Sequence, residues 1–89
     1  MYYVYIMSNT YHSVFYIGVT NNLERRIAEH KSWEKPWFTQ KYHITTLLYF
    51  EDSQSRNDAI LREKQLKWRS RNKKIQLIKT INSSMQDLS

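Results

Sequence analysis

The order of apolar and polar residues divides the first half of the chain into strands and one helix. Residues 2–7 (YYVYIM), 14–19 (VFYIGV) and 44–51 (ITTLLYFE) are rich in aromatic and β-branched residues, which is typical of β-strands. After the second strand the period becomes helical, since Leu23 and Ile27 lie four residues apart. The pattern predicts a hairpin of two strands, a helix capped by Thr20 or Asn21, and a third strand.

The second half of the chain predicts two more helices. Ser55 and Asp58 have the spacing of a helix N-terminal cap, and apolar residues at helical spacing follow them to Leu66. A further helix carries Ile75 to Ile81. The order β-β-α-β-α-α predicts a mixed α/β (α+β) domain with a small sheet covered by helices. We expect one domain over residues 1–82 and a frayed polar tail over 83–89.

Composition narrows the classes of partner and compartment. The 14 Lys and Arg residues exceed the 8 Asp and Glu residues and give a net charge of +6, which favours a polyanion such as nucleic acid. Charge that serves solubility alone is the alternative. The chain has no cysteine, which excludes disulfides and thiolate metal sites and fits the cytoplasm. Its N-terminus has no basic leader, and its apolar stretch is too short to span a bilayer. An anionic membrane surface is the other polyanion that the charge allows, but no amphipathic basic helix with exposed aromatics supports it, so we expect no membrane partner.

Gly18 is the only glycine in the chain and lies within the second predicted strand. Strand side chains alternate between faces, so Tyr16 and Gly18 share one face. The missing side chain could leave a shallow floor beside Tyr16 for a ligand or another backbone. A bulge, or close packing without any ligand, is the alternative.

The helix after this strand carries two polar side chains on one face, because Arg26 and His30 are four residues apart. An arginine can bind phosphate oxygens bidentately, and a histidine can move a proton. With the strand tyrosines, these residues could act on a phosphodiester. The alternative is a set of core tyrosines beside a solvated arginine and histidine.

Glu63 lies at the margin of the apolar stripe of the second helix, where a carboxylate needs a partner. That partner could be a structural Arg or Lys, or a divalent cation such as Mg²⁺. The basic run 61–74 around it could bind a phosphate backbone, with Trp68 stacked on a base. The alternative is a solvated helix face, and for Trp68 itself we expect a place in the core. The candidate nucleic-acid contacts are Lys41, Lys64, Lys67, Arg69, Arg71, Lys73 and Lys74.

These motifs together resemble the GIY-YIG nuclease superfamily, in particular its small single-domain, URI-type branch. The resemblance rests on YVY (3–5), YIG (16–18), Arg26, His30 and REKQLK (62–67), and it extends from Tyr2 to about Ile81. Tyr16 follows Tyr5 by eleven positions, and Arg26 follows Tyr16 by ten. The resemblance implies a three-stranded, mostly antiparallel sheet flanked by helices. It also implies metal-dependent hydrolysis of DNA, in repair, recombination or mobile-element processing.

The resemblance also implies a role for each site residue. Tyr5 and Tyr16 match the two motif tyrosines, and Gly18 keeps the floor of the site open. Arg26 binds a phosphate oxygen, and Glu63 holds one Mg²⁺ or Mn²⁺ ion. Tyr5, or His30 through a water molecule, takes the proton from the attacking water. A tyrosine in that role needs neighbours that favour the phenolate.

The chain departs from the family pattern at two points. The first half-motif lacks its glycine, and neither Asn72 nor Asn82 aligns with the asparagine that many relatives carry after the glutamate. A nucleic-acid-binding module that keeps the nuclease fold is therefore a second hypothesis. A structural or protein-interaction domain is a third.

Overall fold

The computed structural model describes residues 1–31 and 43–89, and every structural statement below refers to these residues. Their order of elements confirms the predicted β-β-α-β-α-α pattern. The elements are β1 (Tyr2–Ser8), β2 (Phe15–Thr20), α1 (Leu23–Lys31), β3 (Thr46–Ser53), α2 (Arg56–Trp68) and α3 (Arg71–Lys79).

The three strands form one antiparallel sheet in the order β2-β1-β3. Tyr5 in the central strand is paired with Gly18 of β2 on one side and with Phe50 of β3 on the other. The register between β1 and β3 shifts between Ile6 and Met7. Because β1 is covered on both sides, residues 4–8 are all buried.

The two faces of the sheet are covered by different helices. Val4 and Ile6 pack in one cluster with residues of α2 and α3, including Leu66 and Ile78. The opposite face belongs to a second cluster, in which Tyr5 and Met7 pack with Leu23 and Ile27 of α1. These residues alternate along β1 as the pleat of a strand requires. The fold therefore has three layers, and α1 covers the face that carries Tyr5 and Tyr16.

Polar side chains fix where the helices begin. Asn22 Oδ1 accepts a hydrogen bond from the Arg25 amide at 3.1 Å, so Asn22 caps α1 instead of the predicted Thr20 or Asn21. Thr20 supports the turn, since its Oγ1 accepts from the Asn22 amide. Ser55 Oγ accepts from the Asp58 amide at the start of α2, as predicted.

The break between α2 and α3 is shorter than the sequence predicts. Ser70 Oγ accepts from the Lys73 amide and caps α3, so that only Arg69 and Ser70 separate the two helices. The predicted third helix therefore begins at Arg71, and Ile81 lies beyond its end.

The C-terminal tail lies against the edge of the sheet, and the expectation that it frays is wrong. The Leu88 amide donates to the Leu47 carbonyl at 2.8 Å, and Asp87 Oδ1 accepts from the Leu47 amide at 3.1 Å. Asn82 is buried, and its Nδ2 donates to the Leu48 carbonyl. An edge strand has backbone groups without a partner strand, and here the polar tail supplies the partners.

No helix in residues 1–31 or 43–89 is long and apolar enough to cross a membrane.

Candidate active site

Three aromatic side chains from three consecutive elements form a contact cluster. The ring of Tyr16 lies 6.2 Å from that of Tyr5 and 5.2 Å from that of His30, and the Tyr5–His30 distance is 5.9 Å. Both contacts of the His30 ring are edge-to-face, a favourable arrangement of aromatic rings. Strand alternation and the last turn of α1 therefore bring together the residues that the sequence singled out.

Gly18 makes room for Tyr5, its partner across the sheet. A Cβ atom at Gly18 would lie 2.5 Å from Tyr5 Oη and 2.6 Å from Tyr5 Cζ, which is far inside van der Waals contact. The phenol therefore lies directly across the glycine backbone. This corrects the expectation that Gly18 keeps a floor open for a ligand, because close packing fills that space.

Tyr5 and His30 form the buried part of the cluster. Tyr5 Oη lies 3.3 Å from His30 Nε2, and the two residues are 2% and 0% exposed. Burial, reinforced by the neighbouring Tyr16, raises the pKa of Tyr5 well above its ordinary value of about 10, although the charge of Arg26 acts in the opposite direction. Tyr5 is therefore protonated at neutral pH. The surroundings do not favour the phenolate that a general base would need.

Arg26 is held by a residue that the sequence analysis missed. Its Nη1 lies 3.5 Å from Glu29 Oε2, and Glu29 also pairs with Arg25 at 3.5 Å. The Arg26 side chain is one-third exposed, while its Nε is buried and has no hydrogen-bond partner among the described residues. The three- and four-residue spacings in this helix are the signal that could have identified Glu29.

Glu63 opens onto a pocket beside the aromatic cluster. The pocket has a volume of about 270 Å³, and Tyr16 and Lys67 line it with Glu63. Glu63 Oε1 lies 3.4 Å from Lys67 Nζ, which gives the carboxylate the basic partner expected for a structural role. Tyr16 contacts both the buried rings and this pocket, so it connects the two.

The residues at this pocket fit a cation held mainly by solvent and substrate. Within the described part of the chain, no three His, Cys, Asp or Glu side chains come together as a ligand set. Magnesium keeps several waters and commonly uses one or two carboxylates together with substrate phosphates. Glu63 supplies one carboxylate, and the pocket exceeds the roughly 30 Å³ that one water molecule occupies.

Apart from Lys41 and Arg71, the candidate basic residues divide into three groups. Lys67 and Lys74 line the Glu63 pocket, whereas Arg69 and Lys73 line a separate groove at the junction of α2 and α3. Lys64 is exposed on α2. Lys41 lies outside the described residues.

Arg71 has a structural role that the sequence analysis did not predict. Its guanidinium donates to the carbonyls of His12 and Ser13 and lies over the Phe15 ring, 4.9 Å from the ring centre. It therefore ties the start of α3 to the β1–β2 turn. We leave it out of the proposed nucleic-acid contacts.

Two further expectations are resolved by burial. Trp68 is 88% exposed, so the expectation that it lies in the core is wrong. Asn82 is buried, and its amide bonds the Leu48 carbonyl and the backbone of Gln86, so it holds the tail. Asn72 is exposed on α3.

Comparison with known proteins identifies the family. A family model described as the GIY-YIG catalytic domain matches residues 1–76. A UPF0213 protein of Clostridium perfringens is 40% identical over 88% of this chain and 83% of its own length. A UPF0213 protein of Limosilactobacillus reuteri is 35% identical over 82% and 77%.

A solved structure supports the same assignment. The solution NMR structure of a UPF0213 protein from Bacillus halodurans matches with a TM-score of 0.61 and 29% identity, over all of this chain and 95% of that one. The chain belongs to the GIY-YIG family, among its small UPF0213 members.

Proposed function

We propose that this protein is a metal-dependent endonuclease that hydrolyses phosphodiester bonds in DNA. The observation that carries the proposal is the contact cluster of Tyr5, Tyr16 and His30. Arg26 and Glu63 lie close enough to it to affect the titration of Tyr5. All five residues fall within the span that matches the GIY-YIG catalytic domain.

Arg26 binds a non-bridging oxygen of the scissile phosphate in this proposal. Its pairing with Glu29 is loose at 3.5 Å, so a phosphate can compete for the guanidinium while Glu29 keeps the side chain oriented. As the phosphorus becomes five-coordinate, negative charge grows on that oxygen. A fixed guanidinium stabilises this charge more than it stabilises the bound substrate.

His30 is the proposed proton acceptor, and Tyr5 is the residue that positions it. The raised pKa of Tyr5 keeps its hydroxyl neutral, so Oη can accept a hydrogen bond from Nε2–H of His30 and leave Nδ1 of the imidazole as the proton acceptor. His30 is buried behind Tyr16, and Tyr16 lines the pocket. The attacking water therefore contacts the Tyr16 hydroxyl, and its proton passes inward toward the imidazole.

Glu63 is the residue proposed to hold the divalent cation. A bound Mg²⁺ or Mn²⁺ would act as a Lewis acid on the phosphate and stabilise the leaving oxygen. Lys67 neutralises the carboxylate in the absence of the cation and can turn toward the substrate when the cation is bound, because its side chain is 54% exposed.

A cleavage assay on matched charge variants tests this function. Wild type, Glu63→Gln and Glu24→Gln are incubated with supercoiled plasmid and with labelled branched and single-stranded DNA, in Mg²⁺, Mn²⁺ or EDTA. Glu24 is exposed in the first turn of α1, so its substitution removes the same charge outside the pocket. We expect metal-dependent cleavage by wild type and Glu24→Gln and its loss in Glu63→Gln. Equal activity of all three proteins would contradict the assigned site.

A nucleic-acid-binding module that keeps the nuclease fold is the second candidate. Two observations favour it: the ion pair of Glu63 with Lys67, and the direction of the Tyr5 pKa. This candidate predicts DNA binding of equal strength in Mg²⁺ and EDTA, with no cleavage of any substrate.

A further inference from the structure

Trp68 is the last residue of α2 and lines a groove of about 790 Å³ between α2 and α3. Its side chain is 88% exposed, whereas a large aromatic residue ordinarily buries most of its surface. The groove runs beside it along α3, from Ser70 to Thr80. An exposed tryptophan next to a groove is an available stacking surface.

The other residues that line this groove are mostly polar and cationic. Arg69 and Lys73 contribute positive charge, Gln65 and Gln76 contribute amide groups, and none of the described residues of the lining is a carboxylate. A protein segment that docks through apolar side chains would need a more aliphatic lining. One large ring, two cations and two amides suit a planar base flanked by phosphates.

The groove is separate from the Glu63 pocket but close to it. Trp68 follows Glu63 by five residues, which is about 7.5 Å along the helix axis and a rotation of about 140°. Lys67 and Lys74 face the pocket, and their neighbours Arg69 and Lys73 face the groove. A nucleic-acid strand that leaves the pocket across this junction meets positive charge all the way to Trp68.

We propose that Trp68 stacks on an unpaired nucleobase, while Arg69 and Lys73 bind the flanking phosphates. The substrate class is then nucleic acid with unpaired bases a short distance from the scissile bond. Bases in a continuous duplex are already stacked on their neighbours and cannot use this surface. The substrate class rests on the proposed function, but the stacking itself is measured by binding alone.

Fluorescence anisotropy in EDTA tests the stacking without cleavage. The probes are labelled dT12, U12 and a 12-base-pair duplex, and the proteins are wild type, Trp68→Ala, Trp68→Phe and Leu61→Ala. Leu61 is 59% exposed two turns earlier on the same helix and does not line the groove, so it is the matched control. We expect Trp68→Ala to weaken binding of a single-stranded probe about tenfold. Trp68→Phe should lose less affinity than Trp68→Ala. Leu61→Ala should bind the single-stranded probes within about twofold of wild type, and the Trp68 variants should bind the duplex within about twofold of wild type.

The phosphate contacts have a separate signature. Lys73→Gln should lower the slope of log affinity against log salt by about 0.7 for a single-stranded probe. Trp68→Ala should leave that slope unchanged, because stacking releases no counterions. Thermal unfolding of each variant checks that it is folded.

Unchanged affinity of Trp68→Ala for both single-stranded probes would overturn the proposal, as would an equal loss for single-stranded and duplex probes. A response to dT12 or to U12 supports it, and the comparison of the two shows whether the DNA or the RNA probe is preferred. Failure of the nuclease function looks different, because Glu63→Gln and wild type would then behave alike while the Trp68 effect persisted.

Discussion

The face of the sheet beneath α1 and the junction of α2 and α3 hold their polar groups in opposite ways. Beneath α1, Tyr5 and His30 are almost fully buried and contact each other. At the junction, Trp68 is exposed beside Arg69 and Lys73, which line an open groove. Burial fixes geometry and raises the pKa of a phenol, whereas exposure lets long cationic side chains adapt to a polyanion. The fold thus separates residues suited to chemistry from residues suited to binding.

The largest expected effect distinguishes two neighbouring arginines of α1. Arg26→Lys should lower the rate constant of cleavage about a hundredfold, because a lysine cannot reproduce bidentate contact with the growing phosphate charge. Arg25→Lys is the matched control: Arg25 pairs with the same Glu29 but is 59% exposed. Single-turnover cleavage measures both. Equal losses would show that pairing with Glu29, and not phosphate contact, is what matters.

The next effect concerns the packing of the cluster. Gly18→Ala should destabilise the protein by about 1–3 kcal/mol, because the new Cβ would overlap the Tyr5 ring. In a Tyr5→Leu background the same substitution should cost less than half as much, since Oη and Cζ are gone. Urea unfolding of the four proteins gives the coupling energy. Additive costs would mean that Gly18 is required for another reason.

The sequence predicted which residues meet under α1 but not how deeply they are buried. Strand alternation and a four-residue helical spacing depend only on local geometry, so they were enough for Tyr16 and His30. The role of Gly18 depends on the Tyr5–Gly18 register, which pairs residues thirteen positions apart. No local pattern gives that register.

At the junction of α2 and α3, the sequence carried a signal for the exposure of Trp68 but none for the contacts of Arg71. Trp68 follows the buried Leu66 by two residues, which places it on the opposite side of a helix, so its exposure was readable from periodicity. Arg71 is different, because its partners are backbone carbonyls of His12 and Ser13, more than fifty positions earlier. The expectation that the polar tail frays was wrong for the same reason, because the tail bonds the backbone of Leu47, which is distant from it in the sequence.

Arg71 and Lys73 sharpen the comparison at the junction itself. Arg71→Ala should lower the free energy of unfolding by about 1 kcal/mol, because it removes the exposed hydrogen bonds to the β1–β2 turn. Lys73→Ala removes the same charge but should leave stability within about 0.5 kcal/mol. Thermal unfolding measures the stability of both variants, and binding of dT12 measures what Lys73 contributes to nucleic-acid affinity. Unchanged stability of Arg71→Ala would show that its hydrogen bonds to the β1–β2 turn do not stabilise the fold.

The smallest expected effect is a pH dependence at the end of α1. Burial alone would raise the pKa of Asp87, but hydrogen bonds from Ser89, the Leu47 amide and Lys31 outweigh it and lower the pKa to about 2. Lys31 directly follows His30, so Asp87 ties the C-terminus of α1 to the edge of β3.

Because the pKa of Asp87 is depressed in the folded state, its contribution is fully present above the unfolded value near 3.8 and is lost as the pH falls through about 2. Asp87 is 39% exposed, so screening by solvent reduces the contribution to roughly 1 kcal/mol. Urea unfolding of wild type and Asp87→Asn between pH 7 and pH 2 should show a constant gap above pH 4 that closes below it. A gap that persists unchanged at pH 2 would mean that the tail is held by the shape of residue 87 and not by its charge.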